Sequence, residues 1–381
     1  MNLMKHLQKG LSLVEVMIAM VIGSVLTAGI IELFVANSET HRVMIGQSRM
    51  QESARFSLQF IGRSIRQAGY RGCFSSNDSL HTTINPVGNI PYEYDLNFGV
   101  QGYEATAADV WVPVLNLLPQ TTSGGADTNV YSTGIGEGAG NGIDIDAVIS
   151  GTDVLTLRSM NQQDIEARLV NLLGVTDNIV VVVPSDGLAL LKDHLAVIHD
   201  CEKATIFRVT LVNNNNPVPG QMTIGHDTAD VDAVANSFDN LALKNSFNTD
   251  ASVTAIESST YFIAPGIGEN SSGDHPLSLW WKTGLDEPVE LVEGVEDLQI
   301  LYGVSTNDDG TPNQYVAANS VTDWKEVVTI RVTVIVNSID DVGGTTTPTH
   351  GCAIQNCYTD EVFDGLVRRS FTQTIKLRNT S

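Results

Sequence analysis

Proline does not occur before Pro86, and the chain carries only four cysteines and 21 basic residues against 44 acidic ones. The first absence leaves nothing in the early chain that obliges a helix to stop. The shortage of Lys and Arg argues against nucleic-acid binding, which depends on neutralising phosphates. Catalytic signatures are missing too: there is no H-E-x-x-H, G-x-S-x-G or G-x-x-x-x-G-K-[ST]. The glycine stretch from Gly134 to Gly142 fails the dinucleotide register, because Ala139, Asn141 and Ile143 fall where a third glycine belongs. It reads as a surface loop. His194 and His199 are five apart on an expected strand, so they face opposite ways and share no metal locally. No enzyme and no cofactor is expected.

What the chain does have begins at Leu11. From Leu11 to Ile31 the only charge is Glu15, and these 21 residues match the roughly 20 helical ones that a bilayer core of about 30 Å requires. Lys5, His6 and Lys9 precede the run and favour a cytoplasmic N-terminal side, which sends everything after Ile31 out of the cytoplasm. A secretory signal would put its apolar core before an A-x-A site, and none follows. Glu15 stands out, since a carboxylate in a spanning helix costs a few kcal/mol.

Charge is divided along the chain. Six of the thirteen arginines (Arg42, Arg49, Arg55, Arg63, Arg66 and Arg71) follow the apolar run. From Gly72 onward there are 13 basic and 40 acidic residues, a net of −27. The basic stretch reads either as a dock for acidic neighbours or as a solvated helix face. Phe56, Phe60 and Ser64 form an i/i+4 row with Leu58, Ile61 and Ile65 beside it, a half-apolar helical face. One helix is therefore predicted from Leu11 to about Gln67, roughly 84 Å long, ended by Gly69 and Gly72.

Beyond it the chain reads as β. Strands are predicted at 153–158, 179–183, 195–198, 205–212, 260–264, 277–282, 298–302, 327–336 and 371–377, with clear alternation from Thr329 to Val336. Long polar loops separate them at 121–146, 213–220 and 340–357. Cys73, Cys201, Cys352 and Cys357 form an even set that fits two disulfides made in an oxidising compartment. Three connectivities are open. Cys352 and Cys357 bracket four residues and can bridge locally, which leaves Cys73 with Cys201. Zinc would need a second matched pair. A weak calcium candidate, Asn307 and Asp309, lies in Ser305–Gly310 at EF-hand-like spacing. Val316 stands where the bidentate Glu belongs, and a hairpin turn on Asp309-Gly310 explains the same residues.

Lys9-Gly10 followed by Leu11-Ser-Leu-Val-Glu15 resembles the processing site of type IV prepilins, with Leu11 in place of the phenylalanine common at the first mature position. Three further blocks resemble PilW-type minor pilins: Arg66-Gln-Ala-Gly-Tyr-Arg-Gly-Cys73; Leu291-Val-Glu-Gly-Val-Glu-Asp-Leu298 with Tyr302-Gly303 and Val321-Thr-Asp-Trp324; and Phe371-Thr-Gln-Thr-Ile-Lys-Leu-Arg-Asn379. The stretch from about Ser75 to Leu285 carries no such resemblance beyond the Asp200-Cys201 region.

The resemblance implies an α+β pilin fold, a long N-terminal helix packed on a mainly antiparallel head. Its expected divisions are a leader (1–10), a membrane and filament-core half-helix (11–34), an amphipathic half (35–67) and a disulfide-containing head (68–381). It implies cleavage and N-methylation at Gly10 and Leu11, with Glu15 meeting the free amine of a neighbouring subunit's first residue. Such a pair ~4 Å apart gains about 4 kcal/mol at an effective dielectric near 20. Implied partners are a prepilin peptidase, the major pilin, other minor pilins, the inner-membrane assembly platform and a tip adhesin. The implied role is structural: priming pilus assembly or completing a tip complex, with adhesion and twitching motility downstream. A type II secretion pseudopilin and a membrane-anchored periplasmic binding protein are the alternatives.

Overall fold

The computed structural model describes residues 12–72, 80–84, 96, 98–107, 110–112, 148–149, 151–160, 167–174, 179–184, 192, 194–214, 218–227, 236, 246–284, 288–307, 309–343 and 365–379. Helix α1 runs Leu13–Gln67, about 82 Å at 1.5 Å per residue. It starts two residues later than predicted, because Ser12 adopts extended backbone and caps it.

The strands are β1 (Leu80–Thr82), β2 (Val100–Ala107), β3 (Val110–Val112), β4 (Val154–Met160), β5 (Ala167–Leu169), β6 (Ile179–Pro184), β7 (Leu195–His199), β8 (Ala204–Arg208) and β9 (Leu211–Asn213). They continue with β10 (Met222–Gly225), β11 (Ser252–Pro265), β12 (Leu277–Thr283), β13 (Val289–Glu293), β14 (Val295–Val304), β15 (Gln314–Val316), β16 (Val327–Asn337) and β17 (Arg368–Lys376).

A four-stranded antiparallel sheet in the order β15-β14-β16-β17 carries the stem helix. Its period-2 residues Ile330, Val332, Val334 and Val336 are fully buried. They form one core with Leu298, Ile300 and Tyr302 of β14 and with Met50, Ala54, Ile61 and Ile65 of α1. Small helix residues bring the two together. A Cβ on Gly46 would meet Ser338 Cβ at 3.3 Å, and one on Gly62 would meet Ile375 Cδ1 at 3.2 Å. The predicted apolar face is therefore displaced: Ile61 and Ile65 are buried, whereas Phe56 and Phe60 stay 44% and 45% exposed on its flank.

The larger sheet is organised by β11. Its first residues pair with β5 and β7, its middle with β4, and its last with β12, all antiparallel. One pair in this sheet, β1 with β8, is parallel. Two strand predictions change most. The 205–212 strand divides into β8 and β9, with Val209 and Thr210 between them. The 260–264 strand is only the second half of β11. His194 precedes β7, while His199 ends it buried, with Thr254 Oγ1 3.1 Å from its Nε2.

Candidate assembly site

The first part of the site is the helix start. Ser12 and Glu15 form a reciprocal capping box: Glu15 N–H donates to Ser12 Oγ at 3.2 Å, and Ser12 N–H donates to Glu15 Oε2 at 3.2 Å. The S-x-x-E pattern before an apolar run is its sequence signature, a local role for Glu15 that the processing-site resemblance does not contain. Gly10 and Leu11 lie outside the described residues. From Leu13 to Val35 the helix covers its apolar side chains with nothing. Leu13, Met20 and Phe34 are 78%, 71% and 74% exposed, and the most apolar window is long enough to cross a membrane.

The second part is the junction between stem and head. Asn379 Nδ2 donates to the carbonyls of Gln67 and Ala68 at 3.5 and 3.3 Å, satisfying acceptors that a helix end leaves open. Gly69, at φ +76°, sends its N–H to Arg158 O at 2.8 Å. A Cβ there would sit 2.4 Å from Asn379 O, and one on Gly99 would sit 2.4 Å from Gly69 Cα. Three backbones therefore cross where no side chain fits. Ser64 Oγ lies 2.7 Å from the Tyr261 hydroxyl, a phenol pushed up to about 12 by burial. Beside it a cleft of about 310 Å³ opens between stem and sheet, lined by Phe60, Arg63, Trp281 and Leu291. Burial raises the Glu257 carboxyl in this cleft, against the opposing pull of Arg63.

The stem arginines at the other end also meet the head. Arg42 Nη2 donates to Asp341 O at 2.7 Å. Asp340 is held below the usual carboxylate range, first by hydrogen bonding from Ser271 and further by Arg49 and Arg42. Part of the basic stem thus docks on its own head.

Between the sheets sits Asp153, a functional candidate that no motif or spacing singles out. Its N–H donates to Leu298 O at 2.8 Å, and its carboxyl accepts from Ile300 N at 2.8 Å and Ala105 N at 3.3 Å. Burial raises this carboxyl well above its ordinary value, and the nearby Glu104 adds to the rise. Tyr302 closes the same region. Its ring meets Trp324 edge-on at 4.9 Å, and a Cβ on Gly102 would fall 1.8 Å from its hydroxyl.

The remaining site residues are less assembled. Cys201 is disulfide-bonded; Cys73, Cys352 and Cys357 lie outside the described residues. Asn307 and Asp309 sit in the turn joining β14 to β15. There Asp309 accepts from Thr311 N at 2.8 Å and Asn307 Nδ2 at 2.9 Å, so the turn closes on itself. Among the described residues no three His, Cys, Asp or Glu side chains are grouped to hold a metal.

No curated protein and no solved structure matches the chain. Residues 5–31 match the prokaryotic N-terminal methylation motif, which covers the helix start and most of the uncovered apolar half. Residues 261–379 match the family Type IV Pilus-assembly protein W. That segment begins at Tyr261 and ends at Asn379, two residues that bond to the stem. Matched at both ends, the chain is a type IV pilus-associated, pilin-like protein whose C-terminal segment matches the PilW family.

Proposed function

We propose that this chain is a minor pilin: a low-copy structural subunit, without catalytic activity, that primes pilus assembly or completes a tip complex with other minor pilins. The observation that carries this reading is the joining of two unlike halves by one clamped helix. The N-terminal half has an uncovered apolar surface that needs lipid or neighbouring helices. Gly23 and Gly29 in it meet nothing within 4 Å of an added Cβ, leaving notches where another helix can approach closely. The other half holds a head of more than three hundred residues with a net charge of −27 from Gly72 onward. Repeating so large and acidic a head along a thin fibre would bring like charges together, which favours few copies, at one end.

The test is deletion of this chain in its own cells, with complementation. Surface piliation should drop severely while the major pilin is still made and still inserted in the membrane. Other minor pilins should co-purify with the complemented chain from detergent-solubilised inner membrane. Normal pilus number and length in the deletion strain would refute the assembly role.

A further inference from the structure

Among the described residues β17 pairs only with β16, so one long edge of the stem-bearing sheet is open. The ladder identifies which backbone groups lie on that edge. Leu377 N–H donates to Val328 O at 3.0 Å, one register step past the Lys376–Thr329 pair. Alternate residues of an antiparallel strand face its partner, so Arg369, Phe371, Gln373 and Ile375 turn their backbone groups to β16. Ser370, Thr372, Thr374 and Lys376 turn theirs outward, and all four are exposed. Most proteins shorten, bulge or cover such an edge, because it templates the addition of another strand. This one runs nine residues with no register shift against β16.

Charge selects the occupant. In a head with 13 basic residues against 40 acidic ones from Gly72 onward, the edge is flanked by Arg369, Lys376 and Arg378, and by Arg66 of the stem across an open cleft of about 490 Å³. Arg368 differs, being engaged by Glu296 at 2.6 Å. A second copy of β17 laid along the edge would oppose cation to cation. We propose that the outer edge of β17 is a strand-addition site that takes an extended, carboxylate-rich segment of another pilus subunit. Backbone hydrogen bonds supply the docking, and the flanking cations supply selection.

The inference rests on assembly of the chain with other pilins, so incorporation into pili is scored in the same cells. A photo-crosslinking residue placed at Thr374 of the full chain, and separately at Ser370, should label one acidic segment of a different pilus subunit. The two labelled points should lie about four residues apart in that segment, as antiparallel or parallel pairing requires. Thr372→Pro removes an outward N–H without touching the β16 ladder and should lower the yield about tenfold, whereas Thr372→Val, which keeps the N–H, should change it less than about twofold. Arg369→Glu with Lys376→Glu should also lower it about tenfold, and this pair decides the matter if the proline variant fails to fold. Labelling of a second copy of this chain, of lipid, or of nothing while the chain is present in pili would overturn the proposal. So would full labelling in both the proline and the charge-reversed variants.

Discussion

At the residue scale Glu15 has one job that the fold shows, capping, and a second that we propose, pairing during assembly. As the third helical residue its carboxylate accepts from Ser12 N–H, a cap of the kind that contributes about 1 kcal/mol to a helix. As a charge in the methylation-motif segment, it is the group expected to meet a neighbour's N-terminal amine. Glu15→Gln retains the cap and removes the charge. It should give a processed, membrane-inserted chain that enters pili poorly. Quantifying the chain in sheared pili checks this, and wild-type incorporation of the glutamine variant would mean that capping is the residue's only role.

Asp153 and Glu104 make the head's stability depend on pH. Burial, and secondarily Glu104, keep the proton on Asp153 to higher pH in the folded chain than in the unfolded one. As pH rises above about 4 the unfolded chain releases its proton first, so stability is complete below that point and falls as pH climbs toward the folded value. Glu104→Gln removes the like charge while keeping an acceptor for Ala318 N. Thermal unfolding of the solubilised chain should show a shallower pH dependence and a higher midpoint at neutral pH than the parent chain.

Among the elements, the stem helix and β16 were the most legible in the sequence. The helix announces itself by an apolar run without proline, and β16 by strict alternation from Thr329 to Val336. Both patterns arise from burial on one face, which a single sequence records directly. The first half of β11 was not legible, because Ser252-Val-Thr-Ala-Ile-Glu-Ser-Ser259 has small polar residues buried between strands. Burial there comes from pairing partners distant in sequence. Phe56 and Phe60 misled for a related reason: period alone locates an apolar stripe, but the small residues Gly46, Ala54 and Gly62 decide which side of it can approach the sheet. The junction was visible as motif residues, yet their roles were not. Gly69, Gly99 and Asn379 are far apart in sequence and meet only where three backbones cross. One element-level link is open to mapping. A Cβ on Gly72 would lie 3.4 Å from His199 Cε1, which puts the chain leading into Cys73 beside the strand end that precedes Cys201. Non-reducing peptide mapping should recover Cys73 joined to Cys201, a long closure that adds up to about 5 kcal/mol in the chain-entropy account, and Cys352 joined to Cys357. Recovery of Cys73 with either C-terminal cysteine would refute the pairing.

For the whole molecule, the physical problem is to hold an acidic head at a fixed angle to a helix whose first half cannot remain in water. The head grips the stem at both ends of their contact, through Arg42 and the Asp340–Asp341 turn at one end and through Asn379 and Gly69 at the other. The stem's position in a membrane or filament therefore sets where the head stands, and the two matched segments associate the chain with a type IV pilus. Everything in this account requires that the chain leave the membrane as a processed subunit. The most direct measurement is mass spectrometry of sheared, purified pili, reading the N-terminus of this chain and its abundance relative to the major pilin. The account predicts a substoichiometric chain that starts at Leu11 with a methylated amine. A chain found only in the inner membrane and still starting at Met1, with none in the pili, would contradict it.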